Sequence, residues 1–216
     1  PVYCLPRGTM TQPQLEALTA FPTMIYSVEK PEFVEQVRTV SLDMLKDAQP
    51  ANALHPVRMS GPMEMDPRLQ EFARFTAIAA GNILTDQGYL TNGKGAYFES
   101  MWCQEHHRSS DMTQHTHPEA LMVGFYFFDV PFGSSAAAFF DPRPGKVATP
   151  LAEANKAEIT DASNQFYMTP RPGLLLLTNS WLPHAFTRHD GETPLRFVHF
   201  NIGLAEHVER DLPEVI

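Results

Sequence analysis

The sequence predicts a mainly β protein, a jelly roll or β-sandwich, with two helices ahead of the strands. Three observations predict it. Before about residue 94, apolar side chains recur at helical spacing. From Gly95 onward the chain breaks into short runs rich in aromatic and branched residues. Pro, Gly, Asn or Asp separate most of those runs, as in folds built from many short strands.

Phe21–Val28 reads as a short strand leading into a helix at Pro31, a residue suited to a first turn because the N–H it lacks would have no partner there. Phe33, Val34, Val37, Val40, Met44 and Leu45 then form one helical stripe. Gln49–Met65, with Pro50, Pro56, Gly61 and Pro62, reads as a loop. Asp66-Pro67 offers a cap and a first-turn proline, and Leu69, Phe72, Thr76, Ala79, Ala80 and Ile83 continue one face to about Asp86. Strands are expected at Ala96–Gln104, Leu121–Phe128, Ala136–Phe140, Gln165–Met168, Gly173–Thr178 and Leu195–Ile202. Gly145–Ser163 is polar and aperiodic, a long loop. That loop and Pro50–Met65 are candidate lids. No repeat or boundary divides the chain, so 1–216 reads as a single domain, with a helical support region over 1–94 and a jelly-roll core over 95–203.

The chain has 216 residues, 16 basic against 25 acidic, and a net charge of −9. That balance argues against nucleic acid or an anionic membrane as partner, since both reward clustered Lys and Arg. Cys4 and Cys103 make neither a disulfide framework nor a cysteine zinc site. No apolar run reaches the roughly 18 residues of a membrane span. The N-terminal PVYCLPRGT lacks the charged-then-apolar order of a secretory signal, so a cytoplasmic protein is expected, and a homo-oligomer is compatible with it.

Histidine is unevenly spread. Of nine, all but His55 lie between His106 and His207. His115-Thr-His117 places two imidazoles at i and i+2, on one face of an extended strand, where both can enter one cavity. Metal ligation needs such convergence. Alone, the pair is a weak signal. His184 follows the apolar strand Leu174–Leu177 and a turn, and can face a neighbouring strand across a jelly roll. Twelve residues on, Arg196 opens the strand R-F-V-H-F-N-I, whose Arg side is otherwise apolar. A buried guanidinium keeps its charge and requires an anion. A small dicarboxylate would suit it, and an internal ion pair with Asp141 or Glu99 is the alternative.

Taken in order, these pieces resemble the 2-oxoglutarate/Fe(II)-dependent oxygenase superfamily, and within it a branch of uncharacterised bacterial and phage oxygenases. The resemblance is carried by His115-Thr-His117-Pro118, Gly124-Phe-Tyr126, Asp141-Pro-Arg143, Gly173-Leu174, Ser180-Trp-Leu-Pro-His184 and Arg196 with Phe200-Asn201. Phe21-Pro22-Thr23 also fits, so it spans roughly Phe21 to Gly203.

The resemblance implies a double-stranded β-helix, cupin-like, acting as a non-haem Fe(II)- and 2-oxoglutarate-dependent dioxygenase that hydroxylates a substrate the sequence does not identify. It implies His115, His117 and His184 as metal ligands, Arg196 on the distal carboxylate of 2-oxoglutarate, and Tyr126 donating to the same carboxylate or packing in the core. The chain departs from the family at one point. His117 stands where Asp or Glu is usual, so either three imidazoles hold the iron or Glu119 or Asp111 completes the site. Two other readings remain: a cupin-like three-histidine dioxygenase that uses no 2-oxoglutarate, and a non-catalytic jelly-roll module that binds a metal or small acid. His106, His107, His189, His199 and His207 have no assigned role, nor do Gln104 and Asn201.

Overall fold

The computed structural model describes residues 16–50 and 56–206; Cys4, His55 and His207 lie outside them. Among the described residues, ten strands form two antiparallel sheets. They are β1 (Ile25–Glu29), β2 (Val57–Met59), β3 (Gly95–His106), β4 (Met112–His115), β5 (Met122–Asp129), β6 (Ala137–Phe140), β7 (Gln165–Met168), β8 (Leu174–Asn179), β9 (His184–Phe186) and β10 (Leu195–Ala205). The larger sheet runs β1-β8-β5-β10-β3-β2 and the smaller β4-β9-β6-β7. Helices α1 (Val34–Met44) and α2 (Gln70–Asp86) precede the long strands, and a short α3 (Pro144–Val147) lies between β6 and β7.

The two-residue period of a strand sorts each side chain of the large sheet onto one of two faces. Tyr126 and Phe128 of β5, Met101 and Cys103 of β3, and Val198 and Phe200 of β10 join Val37, Val40, Phe72 and Leu84 of the helices in one buried cluster. Phe125, Phe127, Leu195 and Phe197 point the other way, toward Phe139 and Phe186 of the small sheet. β5 and β8 are covered on both faces, which is why Met122–Phe128 and Leu174–Leu177 read as unbroken apolar runs. The mainly β expectation holds, and the architecture is a double-stranded β-helix.

Two details differ from the sequence reading. Region 1–94 is more than helical support, because β1 and β2 complete the large sheet at its two edges. The Pro50–Met65 stretch contains β2, registered Val57 to His106 and Met59 to Gln104, and Met63 is fully buried. Val57–Met59 are therefore part of the sheet and Met63 part of the core. The helix start is as expected: Asp66 accepts a bond from the Arg68 N–H ahead of α2. Among the described residues no helix is long and apolar enough to cross a membrane.

Candidate metal centre

The small sheet brings the histidines together. β4 pairs with β9 so that His115 lies directly opposite His184. His117 sits two residues past His115, beyond the strand end, and its backbone N–H donates to the Ser180 carbonyl. The Ser180-Trp-Leu-Pro turn between β8 and β9 is fastened to the same segment: Ser180 N–H donates to Leu121 O, and Ser180 Oγ to Ala120 O. This turn couples the two halves of the site, which accounts for the Ser at its head.

Ring centroids are 4.6 Å apart for His115–His184, 5.0 Å for His115–His117 and 5.2 Å for His117–His184, the last pair stacked at 8°. Their candidate ligand nitrogens all lie within 4.8 Å of one another. His115 Nδ1 donates to Thr113 O at 2.8 Å, and His184 Nδ1 to Leu182 O at 3.0 Å. A carbonyl can only accept, so both protons are fixed on Nδ1 and both Nε2 lone pairs are free. Second-partner bonds of this kind set the tautomer of ligating imidazoles. Nε2 of His117 and of His184 are buried with no partner.

Electrostatics favour neutral rings. Burial, then the adjacent His115, pushes the His117 pKa down to about 4, with Asn201 acting the other way. Burial pushes His184 to about 4 as well, its bond to Leu182 opposing the shift and the neighbouring histidines adding to it. Partnerless nitrogens on His117 and His184, with tautomers preset by carbonyl bonds on His115 and His184, fit a divalent cation. Neither Glu119 nor Asp111 joins the group, so among the described residues the donor set is three imidazoles.

The other two predicted site residues are placed elsewhere. Arg196 has the parity of Val198 and Phe200, on the helix-covered face. Its Nε donates to Glu105 at 2.5 Å and its Nη1 to Asp129 at 3.0 Å, while Arg58 and His107 also bond Glu105. Burial alone would raise the Glu105 carboxyl, but Arg196, His107 and Arg58 hold it below the usual carboxylate range. The internal ion pair is thus the one realised, with partners Glu105 and Asp129 instead of Asp141 or Glu99; Asp141 bonds Arg143. Tyr126 also faces the helices, its ring 5.0 Å from Phe72 and its hydroxyl donating to Lys30 O at 2.6 Å. Neither side chain is brought to the histidines.

What the inner face does bring is His199. It is fully buried, with its ring 5.0 Å from His117, 6.2 Å from His184, 4.6 Å from Phe125 and 4.4 Å from Trp102. Gln104 lies beside it, between His199 and His106. The sequence held the signal in strand parity: His199 is three residues from Arg196, so if one faces outward the other faces in. A cavity of about 360 Å³ opens beside His117, lined by Glu99, Ser100, Thr116, Pro118, Glu119 and Asn201.

The sequence profile of a family described as "Putative 2OG-Fe(II) oxygenase" matches residues 100–201, the segment that carries all three histidines. No curated protein matches in sequence. Among solved structures, the α-ketoglutarate-dependent epimerase SnoN from nogalamycin biosynthesis is similar, with TM-score 0.61 and 11% identity over 90% of this chain and 86% of that one. A Pseudomonas putida prolyl-4-hydroxylase has TM-score 0.53 and 10% identity over 83% and 92%. HygX from Streptomyces hygroscopicus, solved with nickel, 2-oxoglutarate and hygromycin B, has TM-score 0.54 and 14% identity over 84% and 83%. This profile match covers the strands that build the histidine site, and the double-stranded β-helix around it is shared with these structures, so over residues 100–201 the chain is similar to the 2-oxoglutarate/Fe(II)-dependent oxygenases.

Proposed function

We propose that His115, His117 and His184 hold the Fe(II) of a 2-oxoglutarate-dependent dioxygenase, read as one domain over 1–216. The observation that carries this reading is the convergence of three imidazoles whose Nε2 atoms are left free by bonds on the far side or by burial. With iron and cosubstrate bound, the centre supplies oxidative attack on a C–H bond. The residues of the chain supply three imidazole ligands, a fixed orientation for His115 and His184, and apolar walls from Phe125 and Phe139 against His184. Three neutral ligands leave the ion its full charge, which strengthens its hold on an anionic keto acid.

The cavity beside His117 is the approach for the primary substrate. Glu99 and Glu119 on its walls favour a polar, non-anionic molecule. HygX, with hygromycin B bound, offers a precedent for a polar ligand on this fold.

The test is an anaerobic titration of the protein with Fe(II) and then 2-oxoglutarate, followed by the metal-to-ligand absorption band. A band at one iron per chain is expected. Iron bound at one equivalent with no band would overturn the 2-oxoglutarate role and favour a three-histidine dioxygenase that works without it.

A further inference from the structure

Behind the three histidines lies a row of buried polar side chains that the metal does not explain. Gln104, His106 and His199 are each at most 1% exposed. His106 Nε2 meets Gln104 Oε1 at 3.1 Å, and Gln104 Nε2 meets His199 Nδ1 at 3.4 Å. An amide oxygen accepts and an amide nitrogen donates, so this single Gln fixes both rings: His106 carries its proton on Nε2 and His199 carries its proton on Nε2. His199 Nε2–H is then a buried donor with no acceptor. Trp102, whose ring lies 4.4 Å from that of His199, has an indole N–H in the same condition. Two adjacent buried donors without an acceptor call for an oxygen that the chain does not itself provide, since such groups are costly to bury unpaired. His199 does not meet the ligand spacing of the other three, yet its ring is packed against His117.

We infer that His199 Nε2–H donates a hydrogen bond to a carboxylate oxygen of the keto acid bound at the histidine centre, with Gln104 as the positioning residue that fixes its tautomer. The inference rests on the metal site proposed above. It gives the anionic cosubstrate a donor on the inner face, where Arg196, turned outward onto Glu105 and Asp129, supplies none.

The test compares wild type with His199→Phe and Gln104→Met, each loaded anaerobically with Fe(II), with iron stoichiometry measured first and 2-oxoglutarate affinity second. Both variants should bind one iron per chain. His199→Phe should weaken 2-oxoglutarate about tenfold or more, as expected for loss of a hydrogen bond to a charged oxygen, and shift the absorption band. Gln104→Met should weaken it in the same direction by less, and Gln104→Glu, which keeps an acceptor for His106 but removes the amide donor, should fail to restore it. An iron-loaded His199→Phe protein with unchanged affinity and band would overturn the inference while leaving the metal site intact. If His199→Phe does not fold, unchanged affinity in Gln104→Met overturns it instead. Wild type that binds no iron overturns the site reading and this inference together.

Discussion

His115 and His184 face one another across the β4–β9 ladder as register partners, their ring centroids 4.6 Å apart. Two of the three proposed ligands are therefore set by backbone pairing, and only His117 depends on the course of a loop. His184→Ala and His115→Ala should each lower Fe(II) affinity by more than about a hundredfold, since loss of an outer-shell partner alone costs 10–100-fold. His117→Asp should retain iron by restoring the usual carboxylate. Metal content after anaerobic loading and gel filtration checks this. Full iron occupancy in His184→Ala would remove that residue from the ligand set.

Arg196→Ala tests an outward-facing role. Its removal leaves the Glu105 carboxylate, whose side chain is 2% exposed, with Arg58 and His107 as remaining partners. Breaking a fully buried pair costs ~3–5 kcal/mol; with those partners kept and Arg196 partly exposed, about 2 kcal/mol is expected. The urea midpoint should fall while 2-oxoglutarate affinity of the folded protein stays unchanged. A selective loss of 2-oxoglutarate with normal stability would return Arg196 to the site.

Stability of the metal-free protein should fall with acid. Burial, with smaller contributions from His189 and His107, pushes His106 down to about 3, and His184 is lowered to about 4. Unfolded, both titrate near 6.5, so between about 6.5 and 4 the unfolded chain binds more protons than the folded one. That difference makes stability rise with pH across this window and level off above it. Urea midpoints at pH 7.5 and pH 5.0 measure the effect, and His106→Phe should flatten the dependence. Equal midpoints at the two pH values would show that the buried rings are protonated in the native state.

Gly124 lies in the middle of β5 where Phe200 crosses it. A Cβ there would clash with the edge of the Phe200 ring and lie 2.7 Å from Leu176 O. Gly124→Ala should destabilise by about 1–3 kcal/mol or more through overpacking. Gly124→Ala with Phe200→Leu should recover part of the loss, read as thermal midpoints. No recovery would mean that the backbone contact with Leu176 dominates.

Much of this fold was legible because period and punctuation are local properties. Gln165–Met168 lies as expected, and Leu195–Ile202 falls within β10. The three-residue β2 and β9 were missed because so short a run has no period of its own; pairing with β3, and with β4 and β6, makes them strands. The sequence by itself determined the mainly β class, the helices ahead of it and the three histidines, whose ordered spacing survives without coordinates. Which face each strand turned inward was decided only in the tertiary structure. A single β10 offers Arg196 to one side and His199 to the other, and nothing within the strand distinguishes them. Helices α1 and α2 cover the Arg196 side and Glu105 waits there with a compensating charge, while the small sheet closes over the other side and makes His199 a neighbour of the proposed metal ligands.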